Sequence, residues 1–366
     1  MIKKFDEVFV DKTRLGKKIP KEEYKKKGKY IIIDQGKDKI AGFTDNEDGI
    51  FTDVPTIIFG DHTRIIKYID KPFFLGADGV KVLKSKINNA NYKYLYYALK
   101  AAYIPNTGYN RHFKWLKKVS INYLLLKKQK RIVKLLDNLS EVKNKKNEEL
   151  KLCDTLIKAR FVEMFGDPGL VHRENKVCNL ENVAEVRSSH RIFTREFTKS
   201  GVPFYRGTEI SLLANGKEPI HSYYISKARY DEITKNDSKP KIGDLLMPSI
   251  CDKGQIWLVN TSKPFYYKDG RVLCISPNRE KFNTIFFHQY MKMKSQIEYL
   301  KIGSGSTFAE FKIFQLKKLK INIPPLKLQN EFASFVQQVD KSKVAIQKSL
   351  DETQTLFDSL MQKYFS

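Results

Sequence analysis

The sequence is poor in the residues that build metal sites and disulfide frameworks. It has only 6 histidines, and its 4 cysteines stand alone at Cys153, Cys178, Cys251 and Cys274. Without a CxxC pair, neither a zinc site nor a disulfide framework is predicted. There is no run of about 18 uncharged apolar residues to span a bilayer. The N-terminus has no apolar secretory segment. We therefore expect a cytoplasmic protein that does not enter membranes.

Motifs for catalysis are also missing. The sequence contains no GxxxxGK[ST] loop for phosphate binding and no HExxH pair for zinc. It also lacks the Asn-Pro-Pro-aromatic motif of amino-methyltransferases. We predict no catalytic residues, no metal ligands and no bound cofactor. The alternative left open is a stand-alone DNA-modifying or DNA-cleaving enzyme with an unrecognised active site.

Basic residues are present in large excess. The chain of 366 residues carries 67 Lys and Arg against 41 Asp and Glu, a formal net charge of +26. Such a surface attracts polyanions, of which nucleic acid is the commonest in a cell, whereas an anionic membrane is the weaker interpretation. At roughly 150 residues per domain, the length predicts about two domains. The 24 Phe and 19 Tyr supply enough bulk for real cores.

The second half of the sequence repeats the first at an offset of 200 residues. Ile121-Asn122 recurs as Ile321-Asn322, and Leu126-Lys127 recurs as Leu326-Lys327. Farther along, Phe165 recurs as Phe365. A more distant similarity joins the segments that precede these stretches. The sequence is therefore predicted to be a duplication of one unit, a globular domain followed by a long helix.

An apolar seam with a 4,3,4,3 spacing runs through each predicted helix. Seven of ten seam positions after Ile132 are apolar, and eight of ten are apolar at the same positions plus 200. A mean period of 3.5 is typical of a coiled coil. Both seams carry a lysine, at Lys143 and Lys343. The residues predicted to form the helix-pair interface are Ile132, Leu136, Leu139, Leu150, Ile157, Phe332, Val336, Val339, Leu350, Phe357 and Leu360.

These patterns predict an α+β protein with pseudo-two-fold character. The predicted segments are a first domain at 1–122, a long helix at 123–166, a second domain at 167–323 and a second long helix at 324–366. Short strands are expected inside each domain, among them Thr56–Phe59 and Gln255–Val259. A short aromatic helix is expected at Tyr92–Ala102 and at Asn283–Met293.

Basic and hydrogen-bonding residues cluster on predicted loops. The segment from Lys12 to Lys29 holds nine Lys and Arg against two Glu, and it is expected to form an exposed arm or loop. Reading bases requires paired donors or acceptors on loops that a rigid domain holds. The candidates for DNA contact are His62, Thr63, Arg64, Asn110, Arg111, His112, Arg187, Ser188, His190, Arg191, Arg206, Lys253, Gln255, Ser304 and Ser306.

With this layout, the chain resembles the specificity subunits of type I restriction-modification systems. The resemblance covers essentially the whole length. It rests on the duplication, on INIPPLKLQ at Ile321–Gln329 and on ARFVEMFGDP at Ala159–Pro168. In the first domain, IAGFT at Ile40–Thr44 and PTIIFGDHT at Pro55–Thr63 resemble one subclass of target-recognition domain.

The resemblance implies two target-recognition domains, each reading one half of a split, asymmetric sequence in double-stranded DNA. It implies an antiparallel coiled coil that separates them. It also implies a subunit without activity of its own, which assembles two methyltransferase subunits and restriction motor-nuclease subunits. S-adenosylmethionine, Mg²⁺ and ATP are then expected on the partners only. A coiled-coil adaptor without a DNA role is the remaining hypothesis.

Overall fold

The computed structural model describes residues 1–76, 78–172, 176–219, 223–235, 239–302 and 309–365. The chain divides into two compact units. The first comprises Met1–Glu148 with Gln347–Ser366, and the second comprises Glu149–Ile346. Each unit therefore combines one globular domain with part of each long helix.

The first domain contains strands, short helices and the start of a long helix. In chain order these are β1 (Ile2–Lys4), α1 (Phe5–Val8), β2 (Phe9–Asp11), β3 (Tyr30–Ile33), β4 (Gly42–Thr44), β5 (Thr56–Gly60), β6 (Ile66–Ile69), β7 (Phe73–Leu75), β8 (Val80–Ser85), α2 (Tyr92–Ala101), α3 (Phe113–Leu116), β9 (Ser120–Asn122) and α4 (Leu126–Phe165).

Two sheets form the core of the first domain. One has the order β2-β8-β5-β6 with antiparallel pairing throughout, and the other has the order β4-β3-β7 with a parallel β3–β7 pair. Every residue of β5 is buried. This strand is rich in isoleucine and phenylalanine, as expected for a central strand covered on both faces.

The second domain follows the same plan. Its elements are β10 (Lys176–Asn179), β11 (Ala184–Arg187), β12 (Phe197–Thr198), β13 (Val202–Tyr205), α5 (Gly207–Ala214), β14 (Tyr224–Ile225), α6 (Lys227–Ile233), β15 (Leu245–Pro248), β16 (Trp257–Leu258), β17 (Tyr266–Tyr267), β18 (Val272–Pro277), α7 (Thr284–Ile302), α8 (Ile313–Lys317), β19 (Lys320–Ile323) and α9 (Leu326–Phe365).

The sheets of the second domain repeat those of the first. The order β11-β18-β15-β16 matches β2-β8-β5-β6, and the parallel β13–β17 pair matches β3–β7. The pair β10–β19 likewise matches β1–β9. The predicted duplication is thus confirmed in the fold, and so is the mixed α/β class.

The two long helices begin in the same way. Each contains 40 residues. At the start of α4, the buried Gln129 side chain donates a hydrogen bond to the Leu124 carbonyl (2.8 Å). At the start of α9, Gln329 donates to the Pro324 carbonyl at the same distance. These bonds satisfy carbonyl groups just ahead of each helix. At the other end, Gly166 adopts φ +76, a left-handed conformation that terminates α4.

In the first unit, the beginning of α4 packs against the end of α9. Leu136 lies in one apolar cluster with Phe357 and Met361, together with aromatic residues of α2. The seam lysine Lys143 lies over the Phe357 ring at 4.9 Å. Its ammonium group thus interacts with an aromatic face at a position where a buried charge would otherwise be costly.

In the second unit, the end of α4 packs against the beginning of α9. Phe161 contacts Phe332 edge to face at 5.5 Å. Asp154, earlier in α4, pairs with Lys343, later in α9, at 2.7 Å. The two segments are therefore antiparallel. Among the predicted interface residues, the buried ones are Ile132, Leu136, Ile157, Phe332, Val336, Val339 and Phe357, and the half-buried ones are Leu139, Leu150, Leu350 and Leu360.

One local prediction is narrowed and two need correction. The segment Lys12–Lys29, expected as an exposed arm or loop, is a mostly exposed loop and not a free arm, because Ile19 is buried and its N–H donates to the Leu75 carbonyl (2.9 Å) of β7. The strand expected at Gln255–Val259 is only Trp257–Leu258, since the preceding residues form a turn. The helix expected at Asn283–Met293 continues to Ile302.

Within the part of the chain that the structure describes, no helix combines the length and the apolarity that crossing a bilayer requires.

Phe161 is the residue whose loss tests the helix packing most directly. Its ring contacts Phe286, Tyr290 and Phe332 at 5.5–5.6 Å between centroids. Phe161→Ala leaves a cavity and is expected to lower the free energy of unfolding by about 3–5 kcal/mol. Urea denaturation measures the change. The neighbouring Val162 is half exposed, so Val162→Ala is the matched control. An equal effect of both substitutions would argue against this packing.

His288 is expected to make stability depend on pH. Its ring Nε2 lies 2.8 Å from the Ile256 carbonyl, and burial, followed by repulsion from Lys292, lowers the pKa of His288 to about 4. In the unfolded chain the histidine pKa is about 6.5, so between these values only the unfolded state takes up the proton. The free energy of unfolding should therefore fall by about 2 kcal/mol from pH 7.5 to pH 5.

The matched variant for this titration is His288→Gln, which keeps an amide donor for the Ile256 carbonyl. Urea transitions of both proteins at pH 7.5 and pH 5 give the contribution of His288 as a difference of differences. A pH dependence that is unchanged in His288→Gln would contradict the assignment.

Candidate nucleic-acid interface

The topology brings the predicted contact loops to one end of each domain. In the first domain, β5 and β8 are antiparallel, with Gly60 opposite Val80. The loop that follows β5 and the loop that joins β7 to β8 therefore lie at the same edge. We call this the site end: residues 61–65, 78–79 and 105–112 in the first domain, and 188–191, 249–256 and 268–271 in the second. The opposite end of each domain is the far end.

Asp61 fastens the site-end loops of the first domain together. This residue is buried, its N–H donates to the Gly79 carbonyl (2.7 Å), and its carbonyl accepts from the His112 N–H (2.8 Å). Its carboxylate accepts from the Phe113 N–H (2.7 Å). Three separate loops are thus held by one residue at the end of β5.

His112 was predicted to contact DNA, and the structure contradicts that prediction. Its side chain is fully buried, with ring Nδ1 3.0 Å from the Asp61 carbonyl and Nε2 3.3 Å from the Thr107 hydroxyl. Both contacts are hydrogen bonds if Nδ1 carries the proton. Nδ1–H then donates to the Asp61 carbonyl, and the unprotonated Nε2 accepts from the Thr107 hydroxyl. His112 therefore positions the loop and does not present its ring to a ligand.

An aromatic pair lies on the surface of this end. The rings of His62 and Tyr109 stack with centroids 4.9 Å apart and planes 12° apart. Tyr109 is 89% exposed, and Arg111 beside it is also exposed. A flat ring next to a guanidinium group offers stacking and bidentate hydrogen bonding in one place.

The other predicted residues of the first domain are partly used within the loops. The Thr63 hydroxyl donates to the Gln35 carbonyl (2.6 Å), and the Arg64 guanidinium donates to the Ile104 carbonyl (3.0 Å). Asn110 is exposed, and its side-chain amide donates to the Thr107 carbonyl. These bonds fix loop shape and leave Arg111 as the exposed cation of the group.

The second domain repeats the same fastening with different side chains. The Ser249 N–H donates to the Arg271 carbonyl (2.9 Å), and its carbonyl accepts from the Phe311 N–H (2.8 Å). Ser249 therefore takes the place of Asp61 at the end of the central strand. The geometry of the site end depends on backbone groups that both repeats share.

The loop after β11 is held against the β17–β18 turn. Ser188 Oγ accepts from the Gly270 N–H (2.9 Å), and the His190 N–H donates to the Tyr266 hydroxyl (2.8 Å). The His190 side chain and Arg191 are exposed, and the Arg191 guanidinium lies 5.2 Å from the Phe193 ring. This loop thus carries exposed side chains on a fixed backbone.

Arg187, also predicted to contact DNA, points into the domain. Its side chain is only 16% exposed and pairs with the buried carboxylate of Asp244 (3.3 Å). It also donates to the Ser276 hydroxyl (2.6 Å). Arg187 is therefore a structural residue, because its guanidinium helps to neutralise a buried carboxylate, together with Arg279 at 3.8 Å.

A basic cleft of about 460 Å³ lies at the site end of the second domain. Its cations are Arg206, Lys268 and Arg271. The Arg206 guanidinium is held by Glu209 (2.9 Å) and lies 4.7 Å from the Tyr223 ring. Arg271 pairs with Glu310. Two of the three cations are therefore held in place before any ligand binds.

The remaining predicted residues occupy the loop between β15 and β16 or lie outside the described residues. Lys253 is exposed, and the Gln255 amide donates to Asp252 (2.7 Å) while accepting from the Lys253 N–H (3.1 Å). Gln255 thus shapes this loop. Ser304 and Ser306 lie outside the residues that the structure describes.

Sequence reasoning missed Lys268, Arg271 and Tyr109. The first two flank Asp269-Gly270, which the repeat aligns with Asp78-Gly79, so the aligned turns could have indicated them. Tyr109 lies in the polar segment Asn106–His112. The prediction selected hydrogen-bonding side chains in this segment and did not include its one tyrosine.

The described ranges contain no group of three or more His, Cys, Asp or Glu side chains that could hold a metal ion.

Comparisons with known proteins agree with this architecture. A family model for the type I restriction modification DNA specificity domain matches residues 1–152 and 172–353. A Haemophilus influenzae protein with the provisional name of type I restriction enzyme specificity subunit is 28% identical over 278 residues, covering 73% of this chain and 68% of the relative. A Methanocaldococcus jannaschii protein with a similar provisional name is 24% identical over 307 residues, covering 76% and 68%.

Two solved structures share the fold. One is the S subunit of a type I restriction-modification system from M. genitalium, with a TM-score of 0.58, 18% identity and coverage of 100% of this chain and 96% of that chain. The other comes from work on complex assembly and conformational transition of the type I restriction-modification system, with a TM-score of 0.56, 16% identity and coverage of 100% and 97%.

The family match includes both repeats, and the duplicated topology agrees with it. The chain belongs to the family of type I restriction-modification DNA specificity proteins.

Proposed function

We propose that each domain reads one half of a split, asymmetric sequence in double-stranded DNA, and that the chain assembles two methyltransferase subunits and restriction motor-nuclease subunits on that sequence. The observation that supports this most directly is the repeated site end. Both domains use the same backbone bonds to hold their loops, yet they present different side chains. Two similar frames with different surfaces are suited to two different half-sites.

The exposed side chains have the chemistry that base reading needs. Arg111 is exposed and can offer two parallel donors to a guanine edge, as arginine does in the major groove. His190 and Arg191 offer donors on a loop with a fixed backbone. Lysines such as Lys253 and Lys268 contact phosphates, which supply affinity but no sequence information.

The chain itself carries out no chemistry in this proposal. The site end presents cations, amides and aromatic rings, and carboxylates such as Asp61 and Asp252 are engaged within the loops, with the Phe113 N–H and the Gln255 amide. This differs from the paired acids or activated nucleophile that hydrolysis or group transfer uses. The methyltransferase partners would bind S-adenosylmethionine and flip the target adenine out of the duplex. ATP and Mg²⁺ would belong to the motor-nuclease partners.

A reconstitution experiment tests this division of labour. The purified chain, incubated with S-adenosylmethionine and plasmid or with Mg²⁺ and plasmid, should neither methylate nor cleave the DNA. Addition of the methyltransferase subunits should produce adenine methylation at one split sequence, mapped by sequencing. Methylation without sequence preference would refute the proposal, and turnover by the chain alone would favour the enzyme alternative.

A single substitution tests whether the first domain reads one half-site. Arg111→Ala removes the exposed guanidinium and is expected to reduce discrimination at one base pair of one half-site by about 10- to 100-fold, since a bidentate contact contributes about 1–3 kcal/mol. Methylation rates of the reconstituted complex on a panel of single-base variants measure this change. Preference at the other half-site should be unchanged.

The control for this substitution is Lys71→Ala. Lys71 is also an exposed cation, but it lies in the β6–β7 loop at the far end of the same domain. It should leave the preference at both half-sites unchanged. Equal loss of discrimination in the two variants would show that Arg111 acts only through its charge.

A further inference from the structure

The second domain has a basic cleft at its far end, away from the site end. Its volume is about 640 Å³, and its cations are Lys227, Lys239, Lys241, Lys263 and Arg279. Lys239 and Lys241 precede β15, Lys263 precedes β17, and Arg279 follows β18. The site-end loops follow β15 and β17. The two basic clefts of this domain are therefore at opposite edges of its sheets.

The far-end cleft is lined mainly by basic side chains. Five cations and one carboxylate, Asp231, line it among the described residues. Lys227 pairs with that carboxylate, and the Arg279 guanidinium lies 3.8 Å from the Asp244 carboxylate. Lys239 and Lys263 are exposed, and neither has a carboxylate partner in the part of the chain that is described. These two ammonium groups are therefore available to a bound anion.

The first domain lacks this feature at the corresponding position. Its loop before β5, residues 45–55, contains four acidic residues and no lysine or arginine. Nearby lysines are neutralised there, as in the pairs Lys25–Asp45 (2.8 Å) and Lys84–Asp53 (2.6 Å). The two repeats share their topology, so the basic cleft is not a requirement of the fold. Among the described residues, the loop before β5 does not repeat the lysines of the loop before β15.

We propose that the far-end cleft of the second domain binds the phosphate backbone of DNA, as a site separate from the sequence-reading end. The cleft is open, and lysine side chains on its rim can follow a strand of phosphates. The exposed Ser262 at the edge adds a hydroxyl donor. Backbone binding of this kind needs cations and donors but no base-specific geometry. The occupant is a DNA segment other than the one whose bases are read.

The salt dependence of binding tests this site. The probe is a 20-bp duplex without the target sequence, and the protein is the full chain. Each phosphate contact contributes about −0.9 to the slope of log K against log salt concentration. The double variant Lys239→Gln with Lys263→Gln is expected to bind more weakly, with a slope less steep by about 1.8.

The matched control is Lys71→Gln with Lys348→Gln, which removes two exposed lysines that lie outside both clefts. Its slope should change less than that of the cleft variant. Equal changes of slope in the two double variants would mean that these lysines contribute only to the overall charge of the protein. An unchanged slope in the cleft variant, Lys239→Gln with Lys263→Gln, would mean that no DNA backbone binds in the cleft. Either result overturns the proposal.

A partner protein with an acidic surface is the rival occupant. The cleft variant could fail to co-purify with a methyltransferase subunit while the salt dependence of its DNA binding stays the same as that of the original protein. In that case the cleft binds protein and the proposal is wrong. The proposed reading function fails on different evidence, namely methylation without sequence preference. The two failures are therefore distinguishable.

Discussion

An amphipathic helix of 40 residues exposes one long apolar stripe, and burying that stripe is the constraint on which the architecture depends. Helices of this kind gain most of their stability from packing. In each unit, a segment of α4 packs against a segment of α9, and a helix of the globular domain covers both. Tyr97 of α2 contacts Phe357 in the first unit, and Phe286 of α7 contacts Phe161 and Phe332 in the second. Each domain is therefore fixed to the long helices by its own core.

The repeats diverge most in their exposed side chains and least in the bonds that hold the loops and helices. Gln129 and Gln329 make equivalent bonds at the helix starts, and Asp61 and Ser249 make equivalent backbone bonds at the site ends. The exposed charges differ between the two domains. At the far end, the loop before β5 is acidic in the first domain, whereas lysines line the cleft of the second. A duplicated frame thus tolerates independent change of its two surfaces.

The long helices, the repeat and several core strands such as β5 could be predicted from the sequence, because they depend on periodic patterns of apolar residues. The direction of an individual polar side chain could not. Arg187 and His112 stand in polar strings that look like surface loops, yet each is turned inward by a partner distant in sequence, Asp244 or Asp61. The Lys12–Lys29 segment looks like an arm for the same reason, since only the sheet shows that Ile19 has a buried place. Burial that depends on tertiary contacts leaves no local pattern.

At Asp61 and Ser249, the bonds that the two site ends share join N–H and carbonyl groups of the main chain. Asp61 and Ser249 differ as side chains, yet both link the central strand to the turn before the next strand and to the segment before a short helix. Substitutions on the outer face of these loops therefore change what the surface recognises without removing the bonds that shape it. Single substitutions in one domain can therefore alter the sequence preference of that domain alone, while the fold of both domains and the long helices stays the same.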